Sequence, residues 1–300
     1  MATTIRILQA GDEDKLEAFL LPRIASSMFL LGNFRAAGLV DNGQHLQGTY
    51  AAAFEGEQII GVVAHFWNGS LVLQASIPLL DGLWQTAVAT TKRPLRGLTG
   101  PLPQVQAVKE SLHIQPDLIQ MEEPEKLYYL SLTDLIVPPS LPDGRWQWRR
   151  LQPDDVDLMT HWRVAYMLET KTEADSPDLH QRLRAGVERY QQQGRVWLLL
   201  NEGEPVASSA FNSRTAESVQ VGGVWTPPEF RRRGYGRGVV AASLLDAREE
   251  GVATAVLFTG IDNIPAQKAY EALGFVHIGN YCILLLREPL PIEVILPTKR

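Results

Sequence analysis

The chain has 300 residues, 45% of them hydrophobic and 21% charged, which excludes a disordered chain and, at about 100–200 residues per domain, implies two domains. Its 28 basic and 34 acidic residues leave a net charge of −6, so no global field recruits nucleic acid or an anionic membrane surface. The single cysteine, Cys282, excludes an internal disulfide framework, and six histidines without a His-x-x-x-His pair argue against a structural metal.

No apolar run approaches the roughly 18 residues of a membrane span, and Met1–Ala10 carries none of the features of a secretory signal. A cytoplasmic protein without membrane or nucleic-acid partners is expected, as a monomer or homodimer.

The first predicted element already announces a repeat. Arg6-Ile7-Leu8-Gln9 leads into Gly11-Asp12-Glu13-Asp14, and Arg149-Arg150-Leu151-Gln152 leads into Asp154-Asp155-Val156-Asp157. Arg, Leu, Gln and two Asp recur at a displacement of 143 residues. In each half the segment reads as a strand running into a helix whose first turn is acidic, where carboxylates complement the helix dipole. Glu55-Gly56-Glu57 and Glu202-Gly203-Glu204, displaced by 147 residues, each separate two apolar runs and read as hairpin turns. A duplicated plan of strand, helix and hairpin follows.

Between the halves, Val137-Pro138-Pro139-Ser140-Leu141-Pro142-Asp143-Gly144 can continue neither a helix nor a central strand. This places a first domain at 1–137, a linker at 138–145 and a second domain at 146–300. Most of the acidic surplus belongs to the first half, with 9 basic and 14 acidic residues in 1–140.

In the second half, Val219, Val221, Val224 and Trp225 read as a strand, with Gly222-Gly223 marking a bulge or a close approach of backbone. Pro227-Pro228 ends it. Arg231-Arg232-Arg233-Gly234-Tyr235-Gly236-Arg237 then leads into an apolar helix over 239–250 that Gly251 stops. Glycines that let amide N–H groups turn inward, a helix N-terminus and arginines together make a site for a pyrophosphate. The spacing is neither the dinucleotide fingerprint, since Val239 stands where a third glycine or alanine is needed, nor a P-loop.

Farther on, Ala253–Thr259 is a β-rich run, and Asn263-Ile264-Pro265-Ala266 opens a helix that Gly274 closes. Asn263 and Tyr270, two helical turns apart, share a face. Cys282 lies in the apolar run Tyr281–Leu286 and reads as a buried packing thiol.

Arg231–Gly236 resembles the Gln/Arg-x-x-Gly-x-Gly/Ala acyl-CoA loop of the GNAT superfamily of N-acetyltransferases. Asn263–Phe275 resembles that family's second signature, Asn-x-x-Ala-x-x-x-Tyr-x-x-x-Gly-Phe. The resemblance covers about residues 146–287. It implies an α/β (α+β) fold of two tandem domains, each a mixed, mostly antiparallel central sheet flanked by helices. The N-terminal copy is degenerate. Displacing the loop by the repeat offset leads to Trp84–Pro94, which has no glycine, while Gly97-Leu98-Thr99-Gly100-Pro101 lacks the arginine spacing.

The resemblance further implies acetyl-CoA as donor and a primary amine of a small molecule or peptide as acceptor. Val224, Trp225, Thr226, Arg231, Arg232, Arg233, Gly234, Tyr235, Gly236, Arg237 and Asn263 are then the coenzyme A contacts, and Tyr270 the general acid. No metal is involved. Gln220 stands where some relatives carry a glutamate and cannot act as base, while Glu217, His161 and Glu169 have no spacing that ties them to the site. The stretch Asp154–Thr170, with Trp162, Tyr166 and Met167, is expected near the acceptor. A non-catalytic acyl-CoA-binding module on the same fold is the competing reading.

Overall fold

Alternation of side chains decides the layering. Along the second strand Tyr50, Ala52 and Phe54 point to one face and Ala51 and Ala53 to the other, and all five are buried. Such a strand needs helices on both sides. The computed structural model describes residues 3–170 and 173–296.

In chain order these form β1 (Thr3–Ile7), α1 (Glu13–Leu20), α2 (Ile24–Ala37), β2 (Gly48–Glu55), β3 (Gln58–Phe66), β4 (Ser70–Gln74), α3 (Ile77–Thr91), β5 (Leu95–Pro101), α4 (Leu102–Ser111) and β6 (Ile119–Ser131). There follow β7 (Trp146–Arg150), α5 (Val156–Glu169), α6 (Pro177–Gln192), β8 (Val196–Asn201), β9 (Glu204–Arg214), β10 (Ser218–Trp225), α7 (Tyr235–Glu249), β11 (Thr254–Gly260), α8 (Ile264–Glu271) and β12 (Val276–Leu290). The second series repeats the first element by element, each beginning with a strand, two helices and a hairpin.

The chain divides into two compact units that differ from the single cut expected at 138–145. One comprises Met1–Tyr128, Phe258–Asp262 and His277–Arg300, the other Tyr129–Leu257 and Asn263–Val276. Within the first, strand order is β1-β2-β3-β4-β5-β12-β6. Neighbours from β1 to β4 are antiparallel and β4–β5 is parallel. The apolar run of β12, expected in the second domain, lies antiparallel to β5, with Tyr281 opposite Pro101 and Leu285 opposite Gly97. Tyr281, Cys282 and Leu284 are fully buried there. Local pattern marks such a run as a buried strand but leaves its partner open. Helices α1 and α2 cover one face of this sheet through Leu16, Leu20, Leu31 and Phe34, while α3 and α4 cover the other through Leu83, Trp84, Val105 and Val108.

In the second unit the order is β11-β10-β9-β8-β7, with β10–β11 parallel and the others antiparallel. Met159 and Trp162 of α5 and Val187 of α6 share an apolar core with Val196, Leu198, Ala210 and Trp225 of the strands. Between Gly222, opposite Ala210, and Trp225, opposite Ser208, β10 carries one residue more than β9. Gly223 takes φ +58° at this bulge, a left-handed conformation that costs glycine little.

The two Glu-Gly-Glu hairpins form with different turn residues. Gly56-Glu57 joins β2 to β3, whereas Glu202-Gly203 joins β8 to β9 with φ +54° and +85°. The counterpart of the arginine-glycine loop in the first unit is Ala75-Ser76, which joins β4 to α3, and Trp84–Thr91 lies inside α3. The expected position was wrong because the first copy has a shorter connection ahead of it, so one offset cannot serve both sides. Two residues cannot wrap a phosphate group.

Candidate active site

The site is assembled where β10 gives way to α7. Pro227 and Pro228 end the ladder, and a single helical turn over Pro228–Phe230 carries the chain to the loop. Arg232 is left-handed at φ +63°, a conformation uncommon for a side-chain-bearing residue. Gly234 follows at φ +84° as the residue preceding α7. These reversals aim the N-terminus of α7 back toward the end of β10. The N–H groups of Tyr235, Gly236 and Arg237 occupy its first turn, where helix geometry provides no acceptor.

A cavity of about 600 Å³ opens there, within the range of small-molecule sites. Of the twelve residues expected at the site, Val224, Trp225, Thr226, Arg231, Arg232, Gly234, Tyr235, Gly236, Arg237, Asn263 and Tyr270 line it. Arg233 is exposed and does not.

The arginines differ in their commitments. The Arg231 Nη2 lies 2.7 Å from Glu169, its Nε donates to the Thr226 carbonyl at 3.0 Å, and the guanidinium sits 5.0 Å from the Trp225 ring centroid. Arg231 thus ties the end of α5 to the loop. The Nε of Arg237 is buried without a hydrogen-bond partner among the described residues. A buried guanidinium donor left over at a helix N-terminus is complementary to a phosphate oxygen.

Opposite the loop stands α8. Asn263 caps it, its side chain accepting from the Ala266 N–H at 3.3 Å, and Pro265 occupies the first turn. Asn263, Ala266 and Tyr270 form one stripe of this helix and Pro265 and Ala269 the adjoining one, all facing the cavity. The Tyr270 ring is 8% exposed and meets Phe275 edge to face at 6.0 Å. Helical spacing from Tyr270 would have found Ala266 and Ala269. Nothing in the sequence marked Phe230, which lines the cavity together with Thr170.

Of the residues weighed as base, Glu169 reaches the cavity, paired to Arg231. His161 is exposed on α5, and Glu217 sits in the turn before β10, at the end away from Val224. Gln220 is buried on β10 with its Oε1 unpartnered. Tyr166 lines the cavity edge to face with Trp225 at 5.7 Å, whereas Trp162 is a core residue. Among the described residues no group of three His, Cys, Asp or Glu side chains could hold a metal ion, and no helix is long and apolar enough to cross a membrane.

Residues 156–275 match the model of the acetyltransferase (GNAT) family. Over 82 residues, 27% of the chain, the sequence is 31% identical to mycothiol acetyltransferase from Cellulomonas flavigena, of whose length the match spans 23%. The fold is similar to that of a Drosophila protein, with TM-score 0.63 and 18% identity over 95% of this chain and 99% of that one. It is also similar to a tandem GNAT protein from the clavulanic acid biosynthesis pathway, with TM-score 0.55 and 12% identity over 96% and 98% of the two chains. An acetyltransferase from Colwellia psychrerythraea gives TM-score 0.53 and 13% identity over 95% and 100%.

Proposed function

We propose, from the match of residues 156–275 to the acetyltransferase (GNAT) family model, that this protein transfers an acetyl group from acetyl-CoA to a primary amine of a small-molecule or peptide acceptor. One observation carries the reading: the phosphate-type elements Arg232, Gly234 and Arg237 and the tyrosine of the second signature line the same cavity.

Acetyl-CoA supplies an activated thioester. In this reading the first-turn N–H groups of α7, with Arg232 and Arg237, hold its pyrophosphate. The bulge beside Val224–Thr226 leaves backbone N–H donors for the thioester oxygen, where charge develops during attack. The amine nitrogen forms the new bond to the carbonyl carbon as the carbon–sulfur bond breaks. Tyr270 gives its phenolic proton to the departing sulfur and recovers one from solvent, which also takes the proton lost by the amine.

The second reading is an acyl-CoA-binding module without turnover. It is favoured by the lining itself, where among the described residues the only carboxylate, Glu169, is held by Arg231. Incubating the protein with acetyl-CoA and a panel of amines while following thiol release separates the two. Turnover that falls about 100-fold or more in Tyr270→Phe supports the transferase. Binding of acetyl-CoA with no thiol release on any amine, unchanged in that variant, establishes the module.

A further inference from the structure

A second cavity, of about 220 Å³, lies between α5 and α6 on the other side of the β10 bulge. Gly223 lines it, and the next residue, Val224, lines the larger cavity. Its apolar wall comes from Met159, Leu183 and Val187. Its charge among the described residues is of one sign: Arg163, Arg182 and Arg189 line it and no carboxylate does.

The three arginines are not equivalent. Arg182 is satisfied by Glu173 and Asp178, and Arg189 is exposed. Arg163 turns inward from α5, its Nη1 3.1 Å from where a Cβ on Gly223 would stand and its guanidinium 5.3 Å from the Tyr166 ring centroid. Tyr166 also borders the larger cavity, so Arg163 stands at the junction of the two. Among the described residues no carboxylate lies within ion-pair distance of Arg163, and burial lowers its pKa below the ordinary arginine value. A partly buried guanidinium without an anion is costly, and it presents a planar fork of donors that matches a carboxylate.

We propose that Arg163 is the specificity residue of an acceptor subsite that binds a carboxylate, so that the preferred acceptors carry an amine and a carboxylate on one small molecule, as amino acids do. This rests on the acetyl-transfer reading above. The bulge at Gly223 allows both partners to approach. It opens the strand toward the thioester on the Val224 side, and its missing Cβ leaves room for the Arg163 fork on the other. The apolar wall suits the carbon skeleton between the two charges.

The test uses the full chain and matched acceptors: glycine against glycinamide, phenylalanine against phenylalaninamide and phenethylamine, lysine against cadaverine. In the native protein kcat/KM should favour the carboxylate-bearing member of each set by about 10- to 100-fold, the scale of a charge-assisted hydrogen-bond pair. Arg163→Gln should remove that preference by slowing the carboxylate acceptors alone, Arg163→Lys should retain part of it, and calorimetry should find acetyl-CoA affinity unchanged in both. Equal rates within each set, or an undiminished preference in Arg163→Gln, would overturn the subsite. If Arg163→Gln does not fold, Arg163→Lys decides, and an unaltered preference there overturns it equally. If acetyl-CoA binds but no amine is acetylated, the transfer reading fails and the subsite is judged by binding. Amino acids that raise the melting temperature of the native protein more than that of Arg163→Lys sustain it, and an equal or absent stabilisation ends it.

Discussion

The carboxylate of Asp155 takes both terminal guanidinium nitrogens of Arg149, the Nη2 at 2.9 Å, and also accepts the Gln152 N–H at 2.8 Å. Asp12 does the same with Arg6, at 2.6 and 2.7 Å, and with the Gln9 N–H at 3.0 Å. Each clasp locks the end of a strand to the start of the helix that follows it. The recurrence explains why Arg, Gln and Asp recur in the sequence 143 residues apart.

Asp12→Asn and Asp155→Asn should therefore each destabilise the chain by about 1–2 kcal/mol at pH 7, the cost of the lost charge-assisted bonds to the guanidinium. Arg6 holds the Asp12 carboxyl down to about 2. A depressed carboxylate contributes its full stability above the unfolded value near 3.8 and loses it as pH falls through the folded one. The gap between native protein and Asp12→Asn in urea midpoints should hold constant above about pH 5 and shrink between roughly pH 4 and 2. A gap that grew on acidification would contradict the clasp.

What the sequence disclosed was what residues declare locally. The arginine-glycine turn, the Asn263 cap and the Asp12 and Asp155 helix starts depend on neighbours a few positions away, and each is where its pattern put it. The pairing of β12 with β5 depends on partners some 180 residues apart, and an apolar run such as Tyr281–Leu286 fits any buried edge. Arg163 was invisible for another reason: an isolated arginine on an amphipathic helix looks like a solvated one until the carboxylates around it have been located. Glu169 illustrates the converse, a carboxylate near the site whose partner, Arg231, lies 62 residues away.

Gly234→Glu should abolish acetyl-CoA binding, since it puts a carboxylate where the proposed pyrophosphate sits and forces a side chain into φ +84°. The left-handed conformation costs an L-residue about 1–2 kcal/mol, and the new Cβ would lie 3.4 Å from the Trp146 ring, an ordinary contact. The variant should stay folded with a modestly lower melting temperature. Calorimetry giving normal acetyl-CoA affinity would remove the loop from the site.

Glu125 on β6 offers a pH test away from the site. Burial, aided by the Glu123 charge, raises its carboxyl to about 7. In the folded chain it keeps its proton between pH 4.5 and 7 while the unfolded chain releases it, so stability falls as pH rises across that window and stays lower above it. The penalty at pH 8 is on the order of 3 kcal/mol. Glu125→Gln, which cannot ionise, should be more stable than the native protein at pH 8 and lose that advantage near pH 5. Equal urea midpoints for the two proteins at pH 8 would show that the carboxyl ionises there without cost.

The four arginines from 231 to 237 should separate in one experiment. Arg237→Gln removes the guanidinium whose buried Nε has no partner among the described residues, and should weaken acetyl-CoA binding by about tenfold or more with little change in melting temperature. Arg232→Gln should act in the same direction and flatten the salt dependence of binding, because its charge faces the cavity and, among the described residues, pairs with no carboxylate. Arg233→Gln, exposed and outside the lining, should leave affinity unaltered. Arg231→Gln should lower stability, and a double-mutant cycle with Glu169→Gln should return a coupling on the order of 0.5 kcal/mol, since both side chains are about 40% exposed. If Arg231→Gln and Arg237→Gln instead weakened acetyl-CoA binding equally with no coupling to Glu169, the tie between α5 and the loop would have no energetic role, and Arg231 would belong with the phosphate-binding arginines.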